Sequence, residues 1–444
     1  METIRPYDWQ RPVIEKQTKA LREHRFCLNA CCTGAGKTVL ALQSAKDLNA
    51  PTLVITPLVA HKQWRDTAEA MGCADLLLDV INIEKINASK TCRWYNEENN
   101  WSVPEGTLVI LDECHRGTSG PESKATKAFA ILKAYRSVRL LALSATAMVS
   151  PLQGRLIGFW SGLHSFNKYS FYAWCNANGC GMDYIGWGRN RKQIYRFTTN
   201  VNAARGHMAK IRKDLGDMFI SMGPKEIPGF PDETVEIERI DLSTRDQKKL
   251  EEMKRRMPPE YFDFGKLDDE DMPDDRLVTL RLRQQAEFMK AYAMADEAVA
   301  HVMQDKSVAV FLNFKGPRFI FEERLRDAKV PFISIYGGQD KKEREDGIDR
   351  FQRNEAYVAV CMMQAAGCAV SLHDKLHERA RVALISPGYD ASQVKQSLGR
   401  TRRVGGTQAH QIFCLCNGIE DRVYKTLQRK VAALDSLNDG DLEL

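Results

Sequence analysis

The chain has no run of about 18 apolar residues, the length a membrane-spanning helix needs, so no such span is expected in its 444 residues. It has no Cys-x-x-Cys pair either. Its twelve cysteines include Cys31 and Cys32 side by side, Cys175 and Cys180 five apart, and Cys414 and Cys416 two apart. Those spacings argue against a zinc ribbon or finger and suit free thiols in a reducing compartment. Residues Met1 to Gln10 are charged and aromatic and lack the apolar core of a secretory signal. Net charge is also scarce: 64 Lys and Arg against 58 Asp and Glu leave +6, so a basic surface has to be argued locally. The expectation is a protein inside the cell, cytoplasmic or nucleoid-associated, with no membrane and no zinc. What is present is core material: 43% of residues are hydrophobic and 27% charged. At roughly 150 residues per domain, two or three domains are expected.

Residues Phe26 to Ala30 read as a short apolar strand, and Val39 to Leu48 as a helix. Between them runs Cys31-Cys32-Thr33-Gly34-Ala35-Gly36-Lys37-Thr38. Strand, glycine turn, Lys-Thr, helix is the context of a phosphate-binding loop. Gly34 and Gly36 let backbone N–H groups approach phosphate closely, at the positive end of a helix. Lys37 would reach the β- and γ-phosphates, and the Thr38 hydroxyl would sit on Mg²⁺. Cys31 stands where such loops usually begin with glycine.

A second apolar run, Thr107 to Leu111, ends in Asp112-Glu113-Cys114-His115. Two acids at the end of a buried strand are costly unless a cation sits there, and a nucleotide-bound Mg²⁺ is such a cation. Asp112 would hold the metal through water, and Glu113 would orient and deprotonate the attacking water. A third run, Arg139 to Leu143, leads into Ser144-Ala145-Thr146.

In this order the motifs resemble those of superfamily 2 helicases and translocases of the DExH type. Thr56-Pro57-Leu58 with Trp64 is similar to motif Ia, and Val80 to Ile86, with Glu84 and Lys85, to motif Ib. Val308 to Phe314 resembles motif IV and Gln364 to Leu372 motif V; Gln396-Ser397-Leu398-Gly399-Arg400-Thr401-Arg402-Arg403 fits the Q-x-x-G-R-x-x-R pattern of motif VI. Arg5-Pro6-Tyr7 through Gln10, the aromatic order after residue 151, Leu280 to Gln285, and Tyr336-Gly337-Gly338 narrow the resemblance to the Snf-type branch, nearest to HARP-type annealing helicases. Departures are Ala147 after the motif III threonine, Ser221-Met222 in place of paired arginines, and Ala369 for a motif V glycine.

The resemblance implies a fold: α/β, two RecA-like lobes with mostly parallel sheets and helical protrusions inserted between them. Lobe one would span 1–150, a basic aromatic protrusion 151–235, a second protrusion and linker 236–306, and lobe two 307–444. It also implies roles. Lys37, Glu113, Arg400 and Arg403 would be catalytic. Gln10, with Gln17 as competitor, Thr33, Gly34, Gly36, Thr38, Asp112, Gly367 and Gln396 would bind ATP. His115, Ser144 and Thr146 would couple hydrolysis to movement. Arg400 and Arg403, three apart, would share a helix face and supply positive charge to the γ-phosphate.

Nucleic acid would meet Pro57, Leu58, Lys62, Lys85, Asn313, Gly337 and Gln364. Residues 151–235 carry 11 Lys and Arg against 6 Asp and Glu and many aromatics. Trp160, Phe171 and Trp174 are expected to build a core there, while Trp187 and Arg189, among glycines and cations, would touch DNA at a junction. His373 and His377 have helical i, i+4 spacing, a weak metal signal without a third ligand. The expected activity is Mg²⁺-ATP-driven translocation on DNA by a monomer, remodelling branched DNA or single-strand/duplex junctions without sequence preference. An RNA-stimulated ATPase of the same type, and a module that holds ATP without turning it over, are the rivals.

Overall fold

The computed structural model describes residues 3–116, 123–185, 191–242, 276–366, 371–416 and 419–438, with the single positions 244 and 248. The chain divides into two compact units. The first comprises Met1–Asp183, Gln193–Pro228 and Ala432–Leu442; the second comprises Tyr184–Lys192, Gly229–Val431 and Glu443–Leu444.

Strands of the first unit are β1 (Phe26–Asn29), β2 (Thr52–Ile55), β3 (Leu77–Ile81), β4 (Leu108–Asp112) and β5 (Arg139–Leu143). β6 (Cys180–Ile185) and β7 (Lys192–Phe197) pair as a separate two-stranded sheet, and β8 (Phe219–Ile220) follows. The main sheet runs β3-β2-β4-β5-β1-β8, every pairing parallel. β1 and β2 are buried at every position and β4 at all but Asp112, the near-continuous apolar pattern of strands covered on both faces. Register then fixes chemistry. Asn29 and Asp112 both lie opposite Leu143, and Ile55 lies opposite Leu111. The loops that follow β1, β2, β4 and β5 therefore leave the same edge, where open α/β sheets bind ligands.

The second unit contains β9 (Glu233–Arg239), β10 (Ser307–Leu312), β11 (Phe332–Ile335), β12 (Val358–Met362), β13 (Arg381–Ile385) and β14 (Ala409–Leu415). Its sheet is also parallel throughout, in the order β11-β12-β10-β13-β14-β9. The expected α/β class with two mostly parallel sheets is the fold observed.

Helices of the segment expected as the first protrusion pack on the first sheet. Leu156, Ile157, Trp160, Met208, Ile211 and Leu215 enter the same core as Phe26 and Val109. β8 extends the first sheet beyond β1, while β9 pairs with β14 over seven residues in the second. The long helix Arg276–Met303 gives Met294, Ala295 and Ala298 to the core behind β10 and β12. An amphipathic helix must bury its stripe somewhere, and these stripes are buried on the sheets. Trp160 and Phe171 are core residues as expected, and Trp174 packs partly buried against them.

One buried ion pair secures the second unit. Lys290, on the long helix, is fully buried and donates to both Glu420 oxygens (2.7 and 2.9 Å) and to the Cys414 carbonyl (2.7 Å). Burial pulls its ammonium down, but Glu420, Cys416 and Glu287 more than offset that and hold it above the ordinary lysine value. Removing one partner strands a buried charge. Glu420→Ala is expected to cost about 3–5 kcal/mol in urea denaturation, whereas Lys290→Met with Glu420→Leu should restore most of it.

Candidate functional site

The glycine loop bends where the sequence allows. Gly34 has φ 94° and Gly36 φ 76°, and Gly36 caps the helix Lys37–Leu48. Cys31 is not among the positive-φ residues, so a side chain is tolerated at that first position. Its thiol is fully buried and pushed up to about 12 by burial. Lys37 Nζ donates to the carbonyls of Cys31 (2.9 Å) and Cys32 (3.0 Å), placing the ammonium over the loop. Thr33 and Thr38 are partly exposed at its rim.

The two candidate glutamines separate. Gln10 folds onto the loop: its Nε2 donates to the Ala35 carbonyl (2.9 Å), and Oε1 accepts from the Tyr7 N–H (3.0 Å). Gln17 lies behind the loop, fully buried, donating to Ser44 Oγ and Leu40 O and accepting from Asn29 Nδ2 (2.7 Å). Asn29 Oδ1 in turn accepts from the Cys31 N–H (3.0 Å). Asn29 thus anchors the start of the loop, a role the sequence reading missed because a polar residue ending a strand has no local signature.

A Cβ on Gly36 would stand 2.5 Å from Gln10 Nε2, at a backbone angle that side chains rarely adopt. Gly36→Ala is expected to displace Gln10, cost about 1–2 kcal/mol of stability, and weaken binding of a fluorescent ATP analogue. A titration matching the parent protein would show the loop to be more adaptable than this geometry implies.

Beside the loop, Asp112 Oδ2 accepts from Thr56 Oγ1 (2.8 Å) and Trp64 Nε1 (3.1 Å), and Oδ1 accepts from the Glu113 N–H (3.0 Å). Burial, and then the neighbouring Glu113 charge, raise its carboxyl above the usual range. Thr56 and Trp64, singled out only as motif Ia positions, prove to orient this acid. Such a carboxylate, next to a second one and near a threonine hydroxyl, fits a hard dication with oxygen ligands. His115 Nδ1 lies 2.9 Å from Ser144 Oγ, 3.4 Å from Thr146 Oγ1 and 3.5 Å from Glu113 Oε2. The acid pair and the Ser-Ala-Thr turn are therefore physically joined.

In the second unit, the helix Ala391–Thr401 holds Gln396 (buried) and Arg400 (5% exposed). Arg403 lies beyond the helix end, so the pair does not share a helix face as expected; its Nε donates to the Gly399 carbonyl (3.5 Å). Burial, and then Arg400 beside it, pull the Arg403 guanidinium down to about 9. Arg402 is different: it pairs with Glu233 (2.7 Å) and donates to the Pro231 carbonyl. Motif V and motif VI are tied by the Leu372 N–H to the Arg400 carbonyl (2.9 Å).

The expected nucleic-acid contacts fare unevenly. Leu58 is 69% exposed, and Lys62, Lys85 and Gln364 are exposed, Lys62 pairing with Asp66. Pro57 is partly exposed, and Gly337 faces open space. Asn313 is tied inward through its nitrogens. Its Nδ2 donates to Glu287 (2.8 Å) and to the carbonyls of Ser386 and Pro387 (both 3.2 Å), and its N–H also reaches Glu287. It clamps the ends of β10 and β13, leaving no amide hydrogen for a strand. Trp187, Arg189 and Gly367 lie outside the described residues. His373 and His377 fall in an irregular stretch, His377 at φ 57°, so the helical spacing is not realised. Among the described residues there is no group of three or more His, Cys, Asp or Glu that could hold a metal by itself, and no helix long and apolar enough to cross a membrane.

A glycine loop under an ammonium, with a partly buried acid pair on the same edge of a parallel sheet, fits a phosphate site of the P-loop type. No family model matches the chain. A protein of Acanthamoeba polyphaga mimivirus with the provisional name ATP-dependent RNA helicase L364 is 23% identical over 477 residues, covering 98% of this chain and 84% of that protein. The Drosophila willistoni DNA repair and recombination protein RAD54-like is 22% identical over 148 residues, 32% of this chain and only 18% of its own length. Among solved structures, S. cerevisiae Dbp5 bound to RNA and ADP BeF3 aligns with a TM-score of 0.49 at 10% identity, over 99% of this chain and 89% of that one. The sequence likenesses support the broad class, helicase superfamily 2.

Proposed function

We propose that the chain is a nucleic-acid-stimulated ATP hydrolase that translocates on DNA and remodels branched DNA or single-strand/duplex junctions. The observation that carries the hydrolase is the shared sheet edge, where the Lys37 loop and the Asp112-Glu113 pair sit side by side and His115 links the pair to Ser144 and Thr146. In this reading Gln10 meets the adenine, and Thr33, Gly34, Gly36 and Lys37 hold the phosphates. Thr38 and Asp112 would hold Mg²⁺, which neutralises phosphate charge when bound. Glu113 takes the proton of a water as its oxygen bonds to the γ-phosphorus and the bond to the β–γ bridging oxygen breaks, releasing ADP. Arg400 and Arg403 supply positive charge to the departing phosphoryl group, and His115 passes the change at Glu113 to Ser144 and Thr146.

DNA as the track is supported by the Snf-type motif order and by the short RAD54-like alignment. A second reading, RNA as the track, is favoured by the name of the mimivirus relative that aligns over nearly the whole chain. Steady-state ATPase in the presence of forked DNA, single-stranded DNA and duplex RNA decides. The largest stimulation is expected from forked DNA. Stimulation confined to RNA would replace the first reading with the second, and no ATP turnover with any of the three would defeat both.

A further inference from the structure

We propose that a row of tyrosines outside all the helicase-like motifs, in the first unit, is a base-stacking platform for single-stranded DNA; it rests on the DNA reading above and adds a subsite to it. Tyr169 occupies the first turn of the helix Lys168–Ala177, whose N-cap Asn167 accepts from the Ser170 N–H. Its ring is 88% exposed, the most open large hydrophobic side chain among the described residues. One helical turn on, Tyr172 stacks on Tyr195 of β7, with ring centroids 3.9 Å apart and planes 16° apart. Alternation along β7 puts Gln193 on the face of Tyr195. Its amide reaches the Tyr195 hydroxyl and Met182 Sδ across the hairpin, and Met182 is 52% exposed. Tyr169, Tyr172, Tyr195 and Met182 thus follow one another along a helix turn and one hairpin face.

The row is held from beneath. Phe171, Cys175 and Cys180 form a buried cluster with Trp174 and Tyr172 packed against it, so the tyrosines sit on a fixed base. Charge completes the case. Lys168 adjoins Tyr169, and residues 151–235 carry 11 cations against 6 anions. A ligand that brings both negative charge and flat apolar faces is a polynucleotide with unstacked bases. A duplex hides those faces, so the occupant is a single strand.

The test is fluorescence anisotropy of a fluorescein-labelled dT20 strand with the full chain and no nucleotide. Tyr169→Ala is expected to weaken binding about tenfold, and Tyr169→Phe, which keeps the ring, to match the parent. Equal affinity of Tyr169→Ala and parent overturns the platform. So does an equal loss on a 20-base-pair duplex, which would mean a contact that does not use unstacked base faces. A Tyr169-dependent preference for U20 RNA overturns the choice of DNA. The two proposals fail separately: DNA-stimulated ATPase in the parent with no effect of Tyr169→Ala on dT20 sinks the platform alone, while an unstimulated parent sinks the functional reading alone.

Discussion

Glu113→Gln is expected to lower nucleic-acid-stimulated ATP turnover by about 10²- to 10⁴-fold while the protein still binds ATP. The backbone at Glu113 is in the left-handed region, φ 49°, a conformation that costs a non-glycine residue about 1–3 kcal/mol and persists where surrounding bonds dictate it. Here the Glu113 N–H is held by Asp112, the Cys114 N–H by the Leu143 carbonyl, and the Arg116 N–H by Glu113's own carbonyl. That turn leaves the carboxylate 23% exposed, with one oxygen 3.5 Å from His115 Nδ1. Glutamine preserves the shape and the reach toward His115 but cannot take a proton. Phosphate release and binding of a fluorescent ATP analogue, measured on the same preparation, separate the two effects. Equal, measurable turnover in both proteins would remove Glu113 from the chemical step, and binding without turnover in either would make the chain a module that keeps ATP as a structural ligand.

The phosphate loop and the acid pair were legible because their chemistry is local. Glycines, a lysine and a threonine must fall within a few residues, and a strand that ends in two acids announces itself. The β-run 139–143 was read with its observed bounds for the same reason. What stayed hidden depends on partners far apart in sequence. Lys290 and Glu420 are 130 residues apart, and Glu287 meets Ser386 across 99. No pattern near Glu287 says that it will clamp Asn313, so Asn313 was read as a strand contact. Strand order was equally silent: β9, which straddles the boundary expected at 235/236, is the edge of the second sheet, a position set by which side of β14 the chain reaches. Arg403 was placed on a helix from its spacing alone, whereas the helix ends at Thr401.

Arg400→Ala is expected to have the larger effect, a loss of about 10³- to 10⁵-fold in kcat, the range associated with an arginine that stabilises phosphoryl transfer. Burial first, and then the neighbouring Arg400 charge, make the charged Arg403 guanidinium costly where it sits. An anion between them would turn the cost into binding, and the charge spread over a departing phosphoryl group is such an anion. Arg402, three residues from Gly399 on the same motif, serves as the contrast because it pairs with Glu233 at the edge of the second sheet. Arg402→Ala should therefore lower stability and leave the fully folded fraction turning over ATP, whereas Arg400→Ala should all but abolish turnover in protein that stays folded. Measuring melting temperature and phosphate release for both variants tests this directly. If Arg400→Ala melts well below the parent, Arg400 holds the motif V and motif VI segments together rather than acting on the phosphate, and the charge for the reaction would fall to Arg403 alone.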